Sequence, residues 1–113
     1  MAGWAVQLKE EDLAVSTLAP VGKWKRYTAG GPGTRGMIFG LGSFGPGEEL
    51  THEHIEEEVF FVIDGEGEAA WEEGGRKHTA PLRKGVAFYK TSHVPHTIRC
   101  TRPGRLLGVY CKV

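Results

Sequence analysis

Five histidines occur in the 113 residues, and two of them, His52 and His54, stand one residue apart in the string His-Glu-His-Ile-Glu-Glu-Glu. In an extended strand, residues i and i+2 project from one face with Cα atoms roughly 6.6 Å apart. Two imidazoles so placed can converge on one ion. Glu58 follows four residues after His54, at the start of the next apolar run, and its carboxylate completes three ligands drawn from a single hairpin. A mixed imidazole and carboxylate set suits manganese, iron, nickel or zinc, and without a nearby thiolate it does not read as a structural cysteine-based zinc site. Protons compete for imidazoles near their ordinary pKa, so metal binding is expected to weaken below about pH 6. The run Val59-Phe60-Phe61-Val62-Ile63 comes next. The polar string therefore opens into a core, where unpaired His and Glu would be costly.

The elements that must hold these residues are strands. Gly 17 and Pro 6 together make about 20% of the chain, against average usage nearer 7% and 5%, which argues against a helical bundle. From Gly36 onward, short runs rich in Val, Ile, Phe, Tyr and Thr alternate with Gly, Pro or charged breaks. The expected strands are Met37 to Phe44, Glu49 to His54, Glu58 to Ile63, Glu68 to Trp71, Lys77 to Ala80, Val86 to Lys90, His96 to Thr101 and Arg105 to Val113. Lys23 to Tyr27 precedes them as a further short strand. Asp64-Gly65 reads as a turn, Gly74-Gly75 as a tight hairpin turn, and Gly30-Gly31-Pro32-Gly33 as a loop. Eight or nine short strands predict an all-β jelly roll or small barrel. The whole chain, 1–113, is one domain, with residues 1–28 forming an N-terminal arm and first strand and about 37–110 the barrel core. One helical turn is expected within Glu10 to Val15.

Lys+Arg 14 balances Asp+Glu 14, which removes the basic footprint that nucleic-acid binding requires. The longest apolar run is too short to cross a bilayer and no signal-peptide pattern is seen, so no membrane partner and a cytoplasmic location are expected. Cys100 and Cys111 lack C-x-x-C spacing and read as ordinary buried thiols. Eleven acids lie between Glu48 and Glu73 without one Lys or Arg, whereas residues 74–113 carry nine Lys/Arg and no acid. Opposite charges are then expected to face each other across paired strands.

Gly47, His52, His54, Glu58 and Gly65 together resemble the first motif of the cupin superfamily, a Gly, H-x-H, a Glu and a second Gly. Four residues rather than five separate Gly47 from His52. A second motif of that family is recognisable from Gly85 to Cys100: Gly85 and His96 fit it, while Thr91 stands for a proline, His93 for a glycine and Cys100 for an asparagine. The resemblance implies a double-stranded β-helix (jelly-roll) barrel and a metal held by His52, His54, Glu58 and His96. Its spacing selects Glu58 over the adjacent Glu56 and Glu57, with Glu57 as the fallback. Strand parity then places Phe60 and Val62 on the metal side, and Ile98 and Cys100 on the face of His96, as an apolar substrate-binding lining.

Three neutral imidazoles and one carboxylate leave a divalent ion with a local charge near +1 and one or two open positions, which favours a small anionic metabolite bearing a carboxylate or carbonyl. One such ion per chain is expected, manganese foremost and iron, nickel or zinc as alternatives. The resemblance implies either a metal-dependent enzyme such as a dioxygenase, isomerase or lyase, or a metal- and metabolite-binding module without turnover. Candidate acids and bases are His93, Tyr89 and Glu58 itself. His78 reads as surface, and Trp4, Trp24, Trp71 and Tyr110 as packing residues. A homodimer is expected, because small cupins pair sheets or exchange N-terminal strands and the arm carries Trp4, Leu8, Leu13, Leu18 and Trp24.

Overall fold

Within Glu58–Asp64 the side chains of Glu58, Phe60 and Val62 are buried while Val59 and Phe61 face outward, the period of two that one buried sheet face imposes. The computed structural model describes residues 5–17, 19–28 and 36–113. Trp4, Leu18 and the Gly30-Gly31-Pro32-Gly33 segment lie outside the described residues. Among the described residues nine strands form: β1 (Lys23–Arg26), β2 (Ile38–Phe44), β3 (Glu49–His52), β4 (Glu58–Asp64), β5 (Glu66–Glu73), β6 (Arg76–Arg83), β7 (Ala87–Lys90), β8 (His96–Cys100) and β9 (Leu106–Lys112). A single 3-10 turn, Glu10–Asp12, falls inside the expected helical turn. Among the described residues no helix is long and apolar enough to cross a membrane.

The strands make two antiparallel sheets, ordered β1-β2-β9-β4-β7 and β3-β8-β5-β6. Phe44, Phe60, Leu106 and Tyr110 of the first pack against Leu50, Ala69, Leu82 and Ile98 of the second. This is the all-β jelly roll that the strand pattern predicted. Gly74 and Gly75, both at positive φ, close the β5–β6 hairpin, the two-residue turn whose twist matches that of its strands. Both strands run longer than the apolar runs alone indicated, because Glu72 faces Lys77, Glu73 faces Arg76 and Glu66 faces Arg83. Pro81 falls within β6, which is tolerated because that strand lies at a sheet edge.

The acidic and basic halves do meet across strands. Glu68 sits opposite Arg99 and accepts its Nη2–H at 3.0 Å, and Glu66 accepts from Arg102 Nε at 2.6 Å. Exposed pairs of this kind contribute only about 0.2–1 kcal/mol each, so their effect is chiefly on pairing register. The N-terminal arm lies on its own barrel: Ala14 and Trp24 exchange backbone hydrogen bonds at 3.2 and 2.8 Å, and Arg105 reaches both Glu10 and Asp64.

Candidate metal centre

Strand β3 ends at His52 rather than at His54. Its partner β8 begins at His96, directly opposite His52 in register, and the residue before His96 is Pro95. Proline has no N–H to continue the ladder. Residues 53–57 therefore leave the sheet as a loop, which brings His54 back over the strand ends to the first residue of β4, Glu58. The structure thus joins His52, His54, Glu58 and His96, with one ligand atom from each lying within 4.8 Å of all the others. Ring centroids are separated by 4.3 Å for His52–His96, 4.7 Å for His52–His54 and 5.1 Å for His54–His96.

Hydrogen bonding decides which nitrogens face inward. His96 Nδ1–H donates to the Val94 carbonyl at 2.9 Å, and because a carbonyl only accepts, the neutral ring carries its lone pair on Nε2. That atom is fully buried, has no hydrogen-bond partner among the described residues, and faces Glu58 Oε1 at 3.5 Å. A lone pair opposed to a carboxylate oxygen in a buried site is repulsive unless a cation lies between them. The donor set of three imidazoles and one carboxylate fits a transition metal at this place. His54 Nε2 lies 3.0 Å from the same Oε1. In the metal-free centre Lys90 Nζ, 3.0 Å away, donates to His54 Nδ1 and the Nε2–H donates to Glu58; were Nε2 to ligate a metal, the proton would move to Nδ1, where the Glu56 carbonyl at 3.1 Å or the Glu56 carboxylate at 3.2 Å can accept it. An outer partner of this kind orients a ligating histidine.

Burial would raise the Glu58 pKa, but the hydrogen bond from the His54 ring and the nearby charge of Lys112 act against it, and it comes down to about 2. For His52, burial first and the neighbouring rings of His96 and His54 second lower the pKa to about 4. Both groups are thus in their metal-binding forms at neutral pH.

Lys90 is a participant that the sequence reading missed. Only 3% exposed, it donates from Nζ to the Glu56 carbonyl at 2.6 Å and lies 3.0 Å from His54 Nδ1. Burial lowers its pKa, against the raising influence of Glu58 and Glu56. The ammonium ties the 53–57 loop to β7. Strand parity was the available signal: Lys90 shares a face with the core residue Phe88.

The other candidates lie elsewhere. The Tyr89 hydroxyl, on the outer sheet face, donates to Glu57 at 2.5 Å, which also holds that carboxylate outside the centre. His93 is exposed, with Nδ1 3.5 Å from Glu53 Oε2, and its contribution to the centre is a backbone N–H donated to the His54 carbonyl at 2.9 Å. Its φ of 61° lies in the left-handed region that favours glycine, the residue that the family motif places there. His78 is half-buried rather than on the surface, stacked on Trp71 at 5.7 Å. Cys100 is buried and bonds its own turn through Arg102.

A cavity of about 430 Å³ reaches the centre through His52; its wall is formed by Trp24, Arg26, Leu50, Tyr110 and Lys112, with arm residues 14–17 and 19 across it. Phe60, Val62, Ile98 and Cys100, read from the sequence as the substrate lining, are not on that wall. They are at most 5% exposed, inside the core, because the facing sheet covers their side of the strands. Trp24 and Tyr110 do double duty, packing edge to face at 5.8 Å and lining the cavity.

A family model described as a cupin domain matches residues 40–110, more than half of the chain. Comparison with curated proteins finds no match. Among solved structures, a Cupin 2 conserved barrel domain protein from Salinispora arenicola is similar with a TM-score of 0.73 at 14% identity, over 97% of this chain and 88% of that one. A predicted oxalate decarboxylase from Thermotoga maritima gives 0.74 at 15% identity, over 96% and 98%. An oxalate oxidase gives 0.65 at 19% identity over 72% of this chain and only 44% of its own length. At these identities the likeness is one of fold.

Proposed function

The chain belongs to the cupin family, and from that premise we propose that it is a metal-dependent enzyme acting on a small anionic metabolite with a carboxylate or carbonyl group. The reaction types proposed are those of a dioxygenase, isomerase or lyase. The observation that carries this reading is the buried lone pair of His96 Nε2 facing Glu58, in a centre whose His52 lines a cavity sized for a small molecule. One divalent transition metal per chain is proposed, manganese first and iron, nickel or zinc otherwise. Such an ion supplies Lewis acidity toward an anionic or carbonyl oxygen.

The protein's own contribution is to bind and orient. Glu58 keeps its negative charge in a buried place, His96 and His54 hold their rings by backbone carbonyls, and Trp24 and Leu50 make the cavity wall apolar on one side. Apart from His52, the ionisable side chains on that wall are Arg26, Tyr110 and Lys112. Burial raises the Tyr110 pKa, with Arg26 beside the hydroxyl acting in the opposite sense. The oxalate enzymes among the similar folds support a small anion as substrate.

A second reading, a metal- and metabolite-binding module without turnover, is favoured by one observation: Tyr89 and His93, the sequence's candidates for acid and base, both stand outside the centre. Metal-loaded protein screened against small carboxylates and sugar acids, with oxygen uptake and ultraviolet absorbance as readouts, separates the two. Product formation is the expected result. Ligands that perturb the metal spectrum yet yield no product with any loaded metal would replace the enzyme by the module.

A cytoplasmic location, where both free thiols stay reduced, is part of the proposal. So is a homodimer formed by pairing of sheets, since the arm is engaged on its own barrel. The outer face of β4, β7 and β9 exposes Val59, Phe61 and Tyr89, and an apolar patch of this kind marks an association surface. Light scattering should give twice the chain mass, and Phe61→Lys should shift it to the chain mass without loss of folding. A native protein that scatters as a single chain at micromolar concentration refutes the dimer.

A further inference from the structure

We infer that the ligand of this cavity carries two anionic groups, one for the metal and a second for Arg26 and Lys112. The inference rests on the metal-binding reading above and deepens it by naming the ligand class. Tyr110 and Lys112 share the inward parity of β9, and Arg26 shares that of Trp24 on β1. Phe44, Phe60, Val62, Phe88 and Leu106 occupy much of the same inner face. In register, Lys112 lies opposite Glu58, and Gly40 of β2 lies opposite both Arg26 and Tyr110. Because Gly40 has no side chain, the Tyr110 hydroxyl crosses it, standing 2.7 Å from where a Cβ would be, and so reaches the side of Arg26. Lys112 Nζ lies 5.5 Å from the Tyr110 ring centre. Two cations are thereby gathered on one wall of one cavity.

Among the described residues, Arg99 pairs with Glu68, Arg102 with Glu66, Arg105 with Glu10 and Asp64, and Lys90 with the loop carbonyls. Arg26 and Lys112 form no ion pair with a carboxylate among those residues, yet they line the cavity. A divalent ion with Glu58 and three neutral imidazoles leaves about one positive charge, and Arg26 and Lys112 add two more. A monoanion bound to the metal leaves these two cations without an ion-pair partner of their own, Lys112 feeling only the longer-range field of Glu58 and Glu56. A second carboxylate, or a phosphate or phosphonate in its place, compensates them with charge-assisted hydrogen bonds, which Arg can form in bidentate fashion.

The test uses the full chain loaded with manganese or cobalt, and its probes are malonate, succinate and phosphonoacetate against acetate and propionate, with affinity read by calorimetry. At least one dianion should bind ten or more times as tightly as either monoanion. Arg26→Gln with Lys112→Gln should reduce that ratio at least tenfold, and metal content by elemental analysis reports that the centre is intact. Since Lys112 is partly buried, Arg26→Gln alone, at an exposed position, provides a second variant and should reduce the ratio by a smaller factor. Phosphonoacetate binding best identifies the second group as phosphate-like; malonate or succinate binding best identifies it as a carboxylate. Loaded protein that binds monoanions and dianions alike, or a double variant that keeps the wild-type ratio, overturns the inference alone. Protein that takes up no metal overturns the reading beneath it as well.

Discussion

Protein in which His52 and His54 are both replaced by alanine is expected to lose its metal, with affinity reduced at least about 10⁴-fold, since even an outer partner of a ligand is worth about 10–100-fold. Two of four converging donors would be gone, leaving only Glu58 and His96 of the set to hold an ion. Neither histidine belongs to the fully buried core, so the variant should fold, and circular dichroism can check that. Elemental analysis decides the matter: a double variant with full metal content removes the site assignment altogether. Acid should act differently from the simplest expectation. The His52 ring, already held to a pKa of about 4, has no proton to displace at pH 5 to 6, so its share of metal binding persists below the pH at which an ordinary histidine would fail. The sign for folding follows from the same shift. Between about pH 6.5 and pH 4 the unfolded chain binds a proton on His52 that the folded chain refuses, so metal-free protein loses stability as pH falls through that window. Allowing for the solvent that still reaches the ring, the loss from this group is roughly 1–2 kcal/mol. Urea midpoints of metal-free protein that stay level from pH 7 to pH 4 would contradict it.

Gly65→Ala is expected to destabilise the protein by about 3 kcal/mol or more, lowering the melting temperature by roughly 10 °C for a domain of this size. Gly65 is the single residue between β4 and β5, which belong to different sheets, so Asp64-Gly65 makes a corner rather than a hairpin turn. Its φ is 92°, a conformation in which side chains are strained. A Cβ there would stand 2.0 Å from the Arg105 carbonyl oxygen and 2.9 Å from the Leu106 Cα. Those are backbone atoms at the start of β9, which is hydrogen-bonded on both sides, and they cannot turn aside as a side chain would. Gly75→Ala provides the comparison: its φ is 73°, but nothing lies within 4 Å of its would-be Cβ. It should lose only the conformational part, about 1 kcal/mol. Equal losses at the two positions in thermal unfolding would show that the close approach of β9 is not what Gly65 serves.

Much of the fold was legible because burial with period two is written locally. Val59-Phe60-Phe61-Val62 alternates outward and inward as a strand must, and the glycine pairs marked the turns. His52, His54 and Glu58 could be grouped from spacing alone, while His96, forty-four positions beyond His52, was reached through family resemblance and not through geometry. Pairing between β3 and β8 is what sets His96 against His52, and a non-local register has no local signature. The end of β3 at His52 was missed for the same reason, since it depends on Pro95 in the partner strand.

By itself the sequence determined the alternating strands, the sharp turns, the balance of charge and a histidine–glutamate string able to bind metal, since each depends on residues within a few positions of one another. Tertiary structure alone decided which side chains meet at the centre and which line its approach. It buried Phe60, Val62, Ile98 and Cys100 under the opposite sheet, turned Tyr89 outward, and put Lys90 behind His54 and Arg26 with Lys112 on the cavity wall. Parity states which face a residue occupies; only the packing of two sheets and an arm states what that face looks upon.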